Sequence, residues 1–155
     1  MISLKDERHR INLPQVEFYS RADDVIALAG FCVLTERTVW QAIESAGFRY
    51  VDWTAWKEYK QGEGTLRICV ELDPNETATE DELETAIHNS LEKVDPDYAD
   101  LDRMLGATPV SVTILSPGSF MRYYMAKQRE GADLAHLKPP HINPTAEVVK
   151  QLMSE

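Results

Sequence analysis

Lys138 is the residue in this chain best placed by its neighbours to act on an anion. It sits in the run Ala135-His136-Leu137-Lys138-Pro139-Pro140-His141-Ile142-Asn143-Pro144. Pro139 disfavours helical geometry for the residue before it, so the lysine is expected extended in a loop. Its nearest acids in sequence, Asp133 and Glu147, are not at helical pairing distance. In a chain of net charge −10, a stiffly presented cation without a local acid suits a phosphate-bearing ligand. On the loop alone, a solvated surface lysine is the commoner reading. A second group, Arg21-Ala22-Asp23-Asp24, sets an arginine and two acids at the end of a short strand-like run. Alone it reads as a turn with a surface ion pair.

Other chemistries find little support. The four histidines, His9, His88, His136 and His141, are dispersed, and the spacing of His136 and His141 across two prolines matches no standard zinc site. A structural or solvent role is expected for each, and no metal site is read. Gly62 and Gly64 fall in a hairpin turn rather than between a strand and a helix, so they do not form a nucleotide loop. No serine lies in a nucleophile-elbow pattern. Cys32 and Cys69 sit in apolar strand-like runs, with neither metal-type spacing nor a disulfide framework. Trp40, Trp53 and Trp56 read as core or interface anchors.

The bulk numbers bound the rest. A length of 155 residues fits one domain with a real core, and 43% apolar and 27% charged residues exclude a mainly disordered chain. No apolar run approaches the ~20 residues of a membrane span, and the first ten residues lack the apolar core of a signal peptide, so a cytoplasmic location is expected. The acidity is local. Residues 71–105 hold 12 acids and 2 bases, whereas residues 106–155 hold 4 and 5. Without a basic stripe, nucleic-acid binding is not expected. The acidic stretch reads as a solvated helix face.

The elements that must position these residues follow from periodicity and caps. Val16–Ser20 reads as a short strand. Val25–Ala29 and Phe31–Leu34 read as a tight hairpin turning at Gly30. Thr35 caps a helix to about Ala46, with Val39, Ile43 and Ala46 inward. Phe48–Tyr59 reads as a strand with Val51, Trp53 and Ala55 on one side. Leu66, Ile68, Val70 and Leu72 then alternate with Arg67, Cys69 and Glu71, the period of a half-buried strand. Thr79 and Glu82 form a capping box for a helix carrying Leu83, Ile87, Leu91 and Val94. Pro96 opens a short helix ending near Gly106, and Val110, Val112 and Ile114 mark a further strand. Ser116 or Ser119 caps a helix to Gly131, and Asn143 with Pro144 opens a last helix to about Met153. The fold class is α+β: helices packed on a mostly antiparallel sheet, in a split βαβ-like order. Residues 1–13 are polar and aperiodic and are expected to be a frayed end or a severed linker; residues 14–155 form the domain.

The run Val16-Glu17-Phe18-Tyr19-Ser20-Arg21-Ala22-Asp23-Asp24-Val25-Ile26, with Ala29-Gly30-Phe31 and Leu34-Thr35-Glu36, resembles the hinge and first hairpin of the small C-terminal domain of adenylate-forming ligases. Asp97-Tyr98-Ala99-Asp100-Leu101, Leu115-Ser116-Pro117-Gly118-Ser119-Phe120, Gly131-Ala132 and Leu137-Lys138-Pro139-Pro140 narrow the likeness. They resemble the auxin-responsive-promoter (Gretchen Hagen) family of acyl-acid amido synthetases, over roughly Pro14 to Pro144.

The resemblance implies a mobile lid domain. Family members use ATP with Mg2+ to convert a carboxylic acid to an acyl-adenylate, then pass the acyl group to an amine, commonly an amino acid. By position, Lys138 matches the lysine that reaches the α-phosphate, Arg21 the arginine near the nucleotide, and Asp23 the hinge. The chain departs from the superfamily at Ser20, where glycine is usual. It also holds nothing resembling the N-terminal adenylation domain, with its phosphate loop and acyl pocket. That domain is the expected partner, and the chain is expected to be inactive alone. The implied chemistry is physically sound: attack on the α-phosphate builds negative charge, and losing one preorganised cation typically costs ~3 kcal/mol, or ~100-fold in rate. The alternative is a free-standing, non-catalytic α+β interaction module that kept the lid fold.

Overall fold

The computed structural model describes residues 2–3, 15–16, 25–60, 62–106, 108–133 and 140–154. Two short strands, β1 (Ile2–Ser3) and β2 (Gln15–Val16), pair antiparallel. β3 (Val25–Ala27) and β4 (Val33–Thr35) form the expected hairpin, with Ile26 opposite Leu34. Helix α1 (Glu36–Ser45) follows at once because the Thr35 side chain accepts the Thr38 N–H.

A three-stranded sheet carries the architecture. β5 (Tyr50–Lys60) and β6 (Glu63–Leu72) are antiparallel neighbours, and β7 (Val110–Ile114) lies parallel to β6 on its other side. The parallel step needs a long crossover, supplied by α2 (Glu80–Val94) and α3 (Pro96–Leu105). Both helices start where the sequence places them. Thr79 and Glu82 complete the capping box, and Asp95 caps α3 ahead of Pro96. Gly106, at φ 63°, ends α3 in the left-handed conformation that a Cβ disfavours. The fold is α+β, and its central sheet is mixed.

One face of the sheet, with Trp53, Ala55, Leu66, Ile68, Val70 and Val112, packs against the hairpin and α1–α3 in the main core. The other face is also covered, by α4 (Ser119–Arg129) and α5 (Ala146–Met153). Cys69, Leu115, Phe120, Tyr123 and Leu152 form this second core. That layer corrects the half-buried reading of β6: Cys69 and Glu71, expected on a solvated face, are 1% and 4% exposed.

Three further expectations are corrected. Val51 is 52% exposed because the β5–β6 register slips between Tyr50 and Asp52. The extra residue points out, and inward alternation restarts at Trp53. Neither Ser116 nor Ser119 caps α4; its N-cap is Gly118, at φ 82°, with no side-chain cap of its own. The Glu71 carboxylate reaches across from β6 and accepts the N–H groups of Gly118 at 2.5 Å and Phe120 at 2.9 Å. Finally, Asn143 has φ 49° and so cannot cap a helix, a role that needs an extended backbone. Thr145 caps α5 instead, two residues later.

Candidate functional site

Arg21, Asp23 and Lys138 lie outside the described residues. What the structure gives is the chain that follows each of them, from Val25 and from Pro140. On the C-terminal side of Lys138, residues 140–143 lie along the free edge of β5. Ala55 N–H donates to the His141 carbonyl at 2.7 Å, and Asn143 N–H donates to the Ala55 carbonyl at 2.9 Å. The two make an isolated parallel bridge between Ala55 and Ile142. The Thr54 hydroxyl donates to the Pro140 carbonyl. An edge strand leaves a row of unpaired backbone groups, and this segment satisfies part of that row.

The His141 ring lies flat on Trp53, with centroids 4.5 Å apart and planes 7° from parallel. Its Nδ1 is 2.8 Å from Glu36 Oε1 on α1, and its Nε2 is 2.8 Å from Asp52 Oδ1 on β5. Burial disfavours charge on this imidazole, but the hydrogen bonds to Asp52 and Glu36 and their negative charges outweigh it and raise its pKa. Tyr124 on α4 donates its hydroxyl to the other oxygen of Asp52 at 3.1 Å. Asn143 Nδ2 donates to the Val25 carbonyl at 2.8 Å. Val25 is two residues beyond Asp23 and four beyond Arg21 in sequence. The clamp therefore joins the chain just after Lys138 to the chain just after Arg21 and Asp23.

Sequence reasoning leaves His141 a structural or solvent role, and its contacts with Glu36 and Asp52 are of the structural kind. It misses Asp52 and Tyr124 altogether and meets Glu36 only inside a likeness. Partners 89 and 105 residues apart leave no spacing signal in a single chain.

Among the described residues, one group could bring three ligand atoms together around a metal ion: His88, Glu92 and Asp102. His88 Nε2 stands 3.7 Å from Glu92 and 3.9 Å from Asp102, and its Nδ1 is 3.0 Å from the buried Tyr98 hydroxyl. These contacts let His88 join α2 to α3. Cys32 and Cys69 are buried free thiols, and burial pushes them up to about 12 and about 11, far from a reactive thiolate. Among the described residues no helix is long and apolar enough to cross a membrane.

The family model for the GH3 family C-terminal domain matches residues 35–147 of this chain. The chain belongs to the GH3 family. Lys138 falls within the matched span of this GH3 domain, and Arg21 and Asp23 fall before it. Two solved structures share the fold. "GH3.15 acyl acid amido synthetase" aligns at TM-score 0.68 and 17% identity, over 85% of this chain and 26% of that one. "AtGH3.15 acyl acid amido synthetase in complex with 2,4-DB" aligns at 0.66 and 18%, over 85% and 25%. This GH3 domain thus spans about a quarter of the length of those chains. No curated protein matches the sequence.

Proposed function

We propose that residues 14–155 are the C-terminal lid of an ATP-dependent acyl-acid amido synthetase, with residues 1–13 a frayed end or severed linker. The lid works with an N-terminal adenylation domain that holds ATP, Mg2+ and the carboxylic acid. Lys138 stabilises charge on the α-phosphate as the acyl-adenylate forms, Arg21 binds nucleotide, and Asp23 acts at the hinge. The lid then turns away so that an amine or amino acid can take the acyl group. A mobile domain suits this sequence because one position must exclude water and the next must admit the second substrate. The observation that carries the reading is the family match over residues 35–147, which includes Lys138.

The test is Lys138→Ala in the polypeptide that joins this domain to its adenylation partner. Acyl-adenylate formation, followed by ATP–pyrophosphate exchange, is expected to slow ~100-fold or more. Amide formation from supplied acyl-adenylate should change far less. Equal slowing of both steps, or of neither, refutes the role given to Lys138. Absence of any adenylation in the unaltered protein favours the free-standing module.

A further inference from the structure

The segment after Lys138 is fastened to the domain by a charged clamp whose parts come from every layer. His141 meets Glu36 from α1, Asp52 and Trp53 from β5, and, through Asp52, Tyr124 from α4. Both ring nitrogens point at carboxylate oxygens at 2.8 Å. Only the imidazolium has a donor on each nitrogen. A neutral ring turns one lone pair toward a carboxylate, acceptor against acceptor. The complete clamp is therefore the protonated one, and a cation lying parallel over an indole face is a favourable arrangement. Its raised pKa agrees with that geometry.

Resting on the ligase reading above, we propose that His141 is a positioning residue: its bridge between Glu36 and Asp52 fixes the chain three residues after Lys138, the lysine assigned to adenylation. The mechanical argument is short. Three residues of chain span at most about 11 Å, so whatever fixes His141 bounds the travel of Lys138. A lysine that must meet a transferring phosphate needs placement within a fraction of an ångström, and a 1 Å error can cost ~100-fold in rate. The Ala55 bridge, the Thr54 hydroxyl and the Asn143 amide hold the backbone of the segment, and His141 ties it to the carboxylates of two further positions. The imidazolium adds two more fixed points, one on α1 and one on β5.

The enzyme used is again the one that joins this domain to its adenylation partner, with variants His141→Ala, His141→Arg, Asp52→Asn and Lys138→Ala. His141→Ala is expected to slow ATP–pyrophosphate exchange by about 10- to 100-fold through kcat, with KM for ATP little changed. Amide formation from supplied acyl-adenylate should be unaffected. His141→Arg should restore most of the lost rate, because a planar cation with several donors can also stack and bridge both carboxylates. Asp52→Asn, a milder change, should fall between. In the unaltered enzyme exchange should decline as pH rises through the His141 pKa, and in His141→Arg that limb should vanish.

A variant that merely loses folded protein slows both half-reactions together, and that result overturns the proposal. So does unchanged exchange in His141→Ala when Lys138→Ala is slow; in that case the ligase reading survives and the positioning role fails. If Lys138→Ala is itself without effect on exchange, the ligase reading fails and the positioning role falls with it.

Discussion

Replacing Glu71 with alanine tests what holds the second helical layer to the sheet. Glu71 lies on the central strand β6 at 4% exposure, and its two oxygens accept the N–H groups of Gly118 and Phe120 at the start of α4. A helix leaves its first N–H groups without internal partners, and the N-cap Gly118 offers no side chain to satisfy them. The carboxylate also sits at the positive end of the helix dipole. Each amide left buried and unpaired costs about 1–3 kcal/mol, so Glu71→Ala should lower stability by about 3–5 kcal/mol. Glu71→Gln keeps one acceptor but turns an NH2 toward the other amide, and should lose roughly half as much. Urea unfolding followed by tryptophan fluorescence reads the effect; at an m-value of about 2 kcal/mol/M the alanine midpoint falls by roughly 2 M. Ser116→Ala, at the exposed position that sequence alone offers as a cap, should stay within about 0.5 kcal/mol of the parent. An alanine variant as stable as the parent, or a serine variant as weak as the alanine one, refutes the assignment of the cap to β6.

Two further outcomes follow from the same contacts. Val51→Thr should change stability by less than about 0.5 kcal/mol, while Trp53→Ala should cost about 3–5 kcal/mol, because the slip at Tyr50/Asp52 turns the first out and the second into the core; comparable losses in urea titrations would contradict the register. The His141 clamp should stabilise the fold most at low pH: its folded pKa is raised above 6.5, so the gain is complete below 6.5 and disappears as pH rises through the folded value. The stability difference between the parent and His141→Gln should therefore shrink from pH 6.5 upward, and a difference that widens with pH refutes the protonated clamp.

Local signals made much of this fold legible. The capping box at Thr79, the Pro96 start and Gly106 stop of α3, and the β5–β6 alternation each depend on residues a few positions apart. What a single sequence hides is pairing over distance. Glu71 looks like one more acid in a run of 12, and only the return of the chain 47 residues later shows it as a cap. Val51 fits the apolar alternation, and the extra residue that expels it shows only once β6 sets the register. Asn143-Pro144 has the composition of a helix start, but the left-handed turn that delivers Asn143 to Val25 moves the cap to Thr145. The sequence singles out Lys138, Arg21 and Asp23 through residue type and family likeness. The network around His141 rests on Glu36, Asp52 and Tyr124, whose partners are remote in sequence.

The position of the clamp bears on how a lid could work as one body. A single point on the β5 edge collects α1 through Glu36, the main core through Trp53, the second core through Tyr124 and Asp52, and β3 through Asn143 and Val25. A domain that turns as a unit between two half-reactions needs its presented cation referenced to the whole body rather than to one helix. Fastening residues 140–143 where both layers and the hairpin meet supplies such a reference. On the proposed ligase reading, substitutions in either core that leave stability intact but shift Asp52 or Glu36 should disturb adenylation before they disturb amide formation.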